Sequence, residues 1–270
     1  MMLGGLQIMY ALYGPIFASL KPENEMQGEF LTYGIHYIAF IIPISLCLLY
    51  MYLTRKEKLK IFTKGGFRKS FCAMLIGFLV GFGTNALISL LAGVSGTVHY
   101  SFNTFSWYVP ALLLPAFIQC SCEEVLLRAY AAPYMEDQNH WSAAAFISGS
   151  LFIFHHIGNL DIYGYDSRFC LNVFLIGVFL YLLTKATDNF WSCCGFHTAR
   201  NVTQMYLFGL ANSGMSSNIA LYQGLDAKDS FFYNTVYGNE GSWCTVVVIG
   251  IAIIVALYIW QKQKENKQTV

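Results

Sequence analysis

Long apolar runs separated by short polar stretches dominate the chain. Runs of about 20 apolar residues, long enough to cross a bilayer as helices, fall at roughly residues 3–20, 31–53, 71–94, 109–134, 142–158, 170–187, 191–212 and 244–261. Lipid offers an open backbone no hydrogen-bond partner, so each run is read as a helix. The pattern predicts an all-α, polytopic membrane helix bundle with about eight transmembrane helices, forming a single membrane domain over residues 1–270. The first run lacks a basic leader and a clear small-residue cleavage site, and is read as a retained helix rather than a signal peptide. No internal repeat or soluble domain is visible, and the absence of paired broken helices argues against a transporter.

Charge then orients the bundle. Arg55, Lys56, Lys58, Lys60, Lys64, Arg68 and Lys69 crowd one loop, and Lys262, Lys264 and Lys267 crowd the tail. The positive-inside rule puts both in the cytoplasm. Eight spans put the N-terminus there too, with Glu23, Glu25, Glu29, Asp161, Asp166, Asp226, Asp229 and Glu240 on the opposite side. Composition agrees: 56% of the residues are hydrophobic and 11% charged, far from the roughly 25% charge of soluble domains. A net charge of +1 supplies no surface for nucleic acid. Of eight cysteines, Cys47, Cys72, Cys120, Cys122, Cys193 and Cys194 fall inside spans and read as small buried apolar residues. Cys170 and Cys244 lie near outer helix ends and could pair only if those ends adjoin.

Against this background, ionisable groups at membrane depth mark function. Glu123 and Glu124 sit together in an apolar run, with Arg128 four residues after Glu124 in the favourable order for a helical ion pair. Glu123 points about 100° away and must face something else. Candidates are His156, which ends the run from Ser150, and His197, which shares a helical face with Asn201. Converged on Glu123, these groups supply a base, a second proton carrier and donors for an oxyanion, the parts of a hydrolase. His155 fits the spacing from Phe152 less well and reads as a supporting or packing residue, although a helix end there would let either ring turn inward. Cys193 and Cys120 are spaced to join a Cys/His metal site, although burial explains them better. Arg200 calls for a partner such as Asp188, or a substrate carboxylate.

The set Glu123-Glu124-x-x-x-Arg128, Phe152-x-x-x-His156 and His197-x-x-x-Asn201 resembles the three-motif signature of the CAAX protease and bacteriocin-processing (CPBP, or Abi) family of intramembrane endopeptidases, related to type II CAAX prenyl endopeptidases. The likeness covers about residues 117–205, which would form the catalytic core. It implies that Glu123 activates water with help from His156, that His197 and Asn201 stabilise the oxyanion, and that Glu124 and Arg128 support them. It leaves open whether zinc, on Glu123, His156 and His197, takes part, or whether the mechanism is metal-free. The implied substrate is a membrane-associated peptide or lipidated protein in the bilayer, and the compact chain suggests a bacterial plasma membrane. The rival reading is a non-catalytic protein of the same fold, serving bacteriocin self-immunity or scaffolding a sensor.

Overall fold

A computed structural model describes Pro15, residues 19–138 and residues 140–268. The first expected span, residues 3–20, therefore lies almost wholly outside the described residues. Six helical segments among the described residues are long and apolar enough to cross a membrane. The first, Glu25–Thr54, is two helices, α1 (Glu25–Ala39) and α2 (Ile41–Thr54), broken at Phe40. Pro43 has no N–H to give the carbonyl of Ala39, so the helical ladder lapses there. The others are α3 (Gly66–Val94), α4 (Tyr108–Gln138), α5 with its short continuation α6 (Trp141–His155 and Ile157–Tyr163), α7 (Ser167–Thr187) and α9 (Trp243–Gln268). Between α7 and α9 lies α8 (Trp191–Val202), extended by a wider π turn over Thr203–Leu207.

The expectation of a full-length span at 191–212 is thus corrected. The helix stops at Leu207, and the chain then forms the outer loop instead of more helix. A short helix is tolerable here because α8 is enclosed by protein, every residue from Ser192 to Arg200 being buried. Its contact with α3 is set by glycine. A Cβ at Gly77 would strike the carbonyl of Ser192, one at Gly81 the carbonyl of Phe196, and one at Gly195 the carbonyl of Met74. Without a hydrophobic force between helices in lipid, such small-residue crossings let backbones approach and gain packing energy. The stripe continues in polar form. Asn85 donates to the carbonyl of Arg200 and to Gln204, both at 3.0 Å, and receives Asn239 at 2.6 Å.

Polar contacts segregate to the two ends. At the basic end Lys58 meets Asp137 at 2.6 Å, Lys69 meets Asp188 at 3.1 Å, and Lys64 and Lys185 pair with Asp188 and Glu136. At the other end a short antiparallel ribbon, β1 (His99–Phe102) with β2 (Tyr222–Leu225), joins an aromatic loop running from Phe208 to Ser242. That loop is fastened to several helices. Tyr33 donates to the carbonyl of Ser216 at 2.6 Å, Asn159 to that of Ser213 at 2.9 Å, and Asn234 to Asp166 at 3.1 Å. All eight cysteines are free, so Cys170 and Cys244 do not pair.

Two outcomes follow. Cysteine labelling at Lys64 and at Asp226 is expected to place them on opposite faces of the membrane; labelling from one face would break this topology. Gly195→Val should drive α8 from α3 and cost about 1–3 kcal/mol, an overpacking penalty read as lower thermal stability in detergent.

Candidate active site

The centre lies midway along α4. Helical geometry there is altered: Val125–Ala131 form a π turn. Pro133 lacks the N–H that would reach the carbonyl of Ala129, and the helix widens in the turn before it. Glu123 and Glu124 precede this turn and are both buried. Their side chains diverge, as neighbours on a helix must, and each organises a separate group of partners.

Glu124 and Arg128 form the expected ion pair at 3.2 Å, fully buried. Glu124 Oε1 also lies 2.8 Å from Nδ1 of His197. Arg128 donates to the carbonyl of Gly177 at 3.2 Å and lies 4.6 Å from the centre of the Phe152 ring. Charge and cation are therefore offset by each other, a carbonyl and an aromatic face, while Glu124 Oε2 and Arg128 Nε stay buried without a hydrogen-bond partner. Gly177 is also where α7 meets α5: a Cβ there would lie 2.8 Å from Cα of Gly149. The glycine crossing keeps the carbonyl within reach of Arg128.

Glu123 faces the other way. Its Oε1 accepts from Nε2 of Gln119, one turn earlier, and lies 3.1 Å from Nε2 of His155. Its Oε2 is buried without a hydrogen-bond partner. The histidine touching Glu123 is thus His155, expected as a supporting or packing residue, rather than His156. Helix α5 ends between them: His156 has φ −94° and ψ 7°, outside helical geometry, so periodicity no longer fixes its direction. Its Nδ1 lies 2.8 Å from the carbonyl of Phe152, with its ring 5.3 Å from that of His155. His156 and His197 remain within electrostatic reach of Glu123.

On α8, His197 and Asn201 share the face toward α4, as their spacing requires. Asn201 Nδ2 lies 3.6 Å from Sγ of Cys120, and its Oδ1 accepts from Asn212 of the outer loop at 3.4 Å. Arg200, next to Asn201, meets Glu240 at 2.7 Å, which corrects the expected pairing with Asp188. Asp188 is held by Lys64 and Lys69 at the basic end, beyond the reach of Arg200. Glu240 further accepts from the backbone and hydroxyl of Ser213 at 2.8 and 2.6 Å. Burial pushes the Glu240 carboxyl up, but the Arg200 charge and the Ser213 hydroxyl outweigh it, leaving the group below its ordinary range.

Of the set Glu123, His156 and His197, the structure records no direct contact between Glu123 and either histidine, whose rings bond to the carbonyl of Phe152 and to Glu124. Among the described residues no three His, Cys, Asp or Glu side chains stand together as metal ligands, which applies equally to Cys120 and Cys193. Sequence reasoning missed four residues of the centre. Gln119 and His155 carried a signal in their one-turn spacing and adjacency. Asn212 and Glu240 carried none, because loop packing alone brings them to α8.

The bundle thus holds a buried cluster of two glutamates with histidines on two helices. Residues 105–203, containing all three motifs, match the family described as Type II CAAX prenyl endopeptidase Rce1-like. The match covers 99 of the chain's 270 residues. No curated protein and no solved structure matches it.

Removing one partner of a buried pair strands the other. Glu240→Ala should therefore destabilise by about 3–5 kcal/mol, with Arg200→Met/Glu240→Leu recovering much of the loss in a detergent melt. A depressed carboxyl contributes stability above its unfolded pKa and loses it as pH falls through the folded value. The wild-type protein should lose this share of stability below about pH 4, and the double variant should not.

Proposed function

We propose that the protein is an intramembrane endopeptidase that hydrolyses a peptide bond of a membrane-associated or lipidated peptide or protein. The observation that carries this is the state of Glu123: one oxygen is held by Gln119 and His155, the other is buried and free. Glu124 Oε2 is buried without a partner as well, but that carboxylate is ion-paired with Arg128, which leaves Glu123 as the one to present its second oxygen as a base.

In this reading Oε2 takes a proton from water as the water oxygen bonds to the scissile carbonyl carbon. The resulting oxyanion receives hydrogen bonds from His197 and Asn201. Glu124, on Nδ1, fixes the orientation of the His197 ring. The carbon–nitrogen bond then breaks, and Glu123 returns the proton to the leaving amine. His155 holds Glu123 in place and relays protons; His156 backs it. Gln119 is a positioning residue, as are Glu124 and Arg128. The mechanism is of the glutamate type and needs no metal. The basic end faces the cytoplasm, together with both termini, in keeping with the positive-inside rule.

Mass spectrometry of membrane peptides from cells with the intact protein and with Glu123→Gln tests the proposal. A cleavage product lost in a folded variant supports it; identical peptides in both would favour a non-catalytic role. On the product so identified, Glu123→Gln should lower turnover roughly a hundredfold or more. His155→Ala should cost more activity than His156→Ala. Glu124→Gln should chiefly lower stability, because it leaves Arg128 buried with a weaker partner. Turnover should survive dialysis against a chelator, whereas loss reversed by zinc would overturn the metal-free assignment.

A further inference from the structure

Helices α3, α7 and α9 line an apolar groove of about 720 Å³. Its walls are Ala73, Ile76 and Val80 of α3, Leu183 of α7, and Ala252 and Val255 of α9. From Lys69 to Leu87 it follows α3 for about 27 Å, at 1.5 Å per residue. That is most of a hydrocarbon core, so the half nearest Lys69 matches the ~15 Å depth of one leaflet. Alanines line it on two walls, Ala73 of α3 and Ala252 and Ala256 of α9.

The groove's polar end is basic. Lys69 lines it. Lys262 follows Ile259 by three positions and Val255 by seven, and so stands on the groove-facing side of α9. Lys64 and the exposed Arg68 lie beside Lys69, while the nearby carboxylates are Asp188, shared by Lys64 and Lys69, and Glu265, 3.9 Å from Lys262. Cations exceed anions, and Lys262 is more than half exposed. An apolar slot whose half nearest Lys69 is one leaflet deep, ending in surplus positive charge, suits an anionic lipid of that leaflet.

We propose that this groove is a binding site for one anionic phospholipid, its acyl chain along α3 and α9 and its phosphate between Lys69 and Lys262. Cys72 gives a direct readout, because it lines the groove and is the exposed cysteine among the described residues. The whole protein is reconstituted in phosphatidylcholine vesicles with and without phosphatidylglycerol, and maleimide labelling of Cys72 is timed, with Cys72→Ser as background. Phosphatidylglycerol should slow labelling, and Lys262→Gln should weaken that protection about fivefold. Lys262 is an exposed position whose exchange leaves helix packing intact, so its effect is not a folding defect. Ala252→Trp, which fills the slot, should abolish the protection and the single retained phosphatidylglycerol seen by native mass spectrometry. Equal labelling in both lipids overturns the proposal. So does protection in either lipid, as another segment of this chain would give, or a protein dimer in place of a bound lipid.

Discussion

Glu124 is the point on which the membrane core turns. A carboxylate at this depth is affordable only with its charge answered, and one oxygen binds both Arg128 of its own helix and His197 of α8. Arg128 in turn reaches α7 through the carbonyl of Gly177 and α5 through Phe152. Four helices are therefore tied to one buried charge. Because that charge is already spent on structure, its neighbour Glu123 is released from a packing duty and can face the cavity. Two adjacent glutamates thus take different parts through a rotation of about 100°.

Glycine determines how near those helices come. The α3–α8 crossing at Gly77, Gly81 and Gly195, and the α5–α7 crossing at Gly149 and Gly177, bring main chain against main chain. The first lets a helix too short to span by itself pass through the centre of the bundle. The second places a carbonyl where Arg128 can use it. In both, the close approach that stabilises the bundle also fixes the polar geometry of the centre.

Much of this was legible from residue order. The apolar runs announced the helices, and the one-turn spacings of Glu124 with Arg128 and His197 with Asn201 survived into three dimensions because helices preserve period. What escaped reading lies where period fails. The end of α5 falls between His155 and His156, so counting from Phe152 could not tell which ring meets Glu123. The π turn of α8 gives way to the loop at Leu207, where apolar residues continue and composition gives no warning. Arg200 found Glu240 across 40 positions of loop, a distance over which no local pattern operates.

The loop from Phe208 to Ser242 is fastened to α1, α6, α7 and α8 by Tyr33, Asn159, Asp166 and Arg200, and through Asn212 it rests on Asn201 itself. Held to four helices at once, the loop cannot lift from one without loading the others, so a disturbance at the outer end of the bundle is felt at Asn201 in its interior.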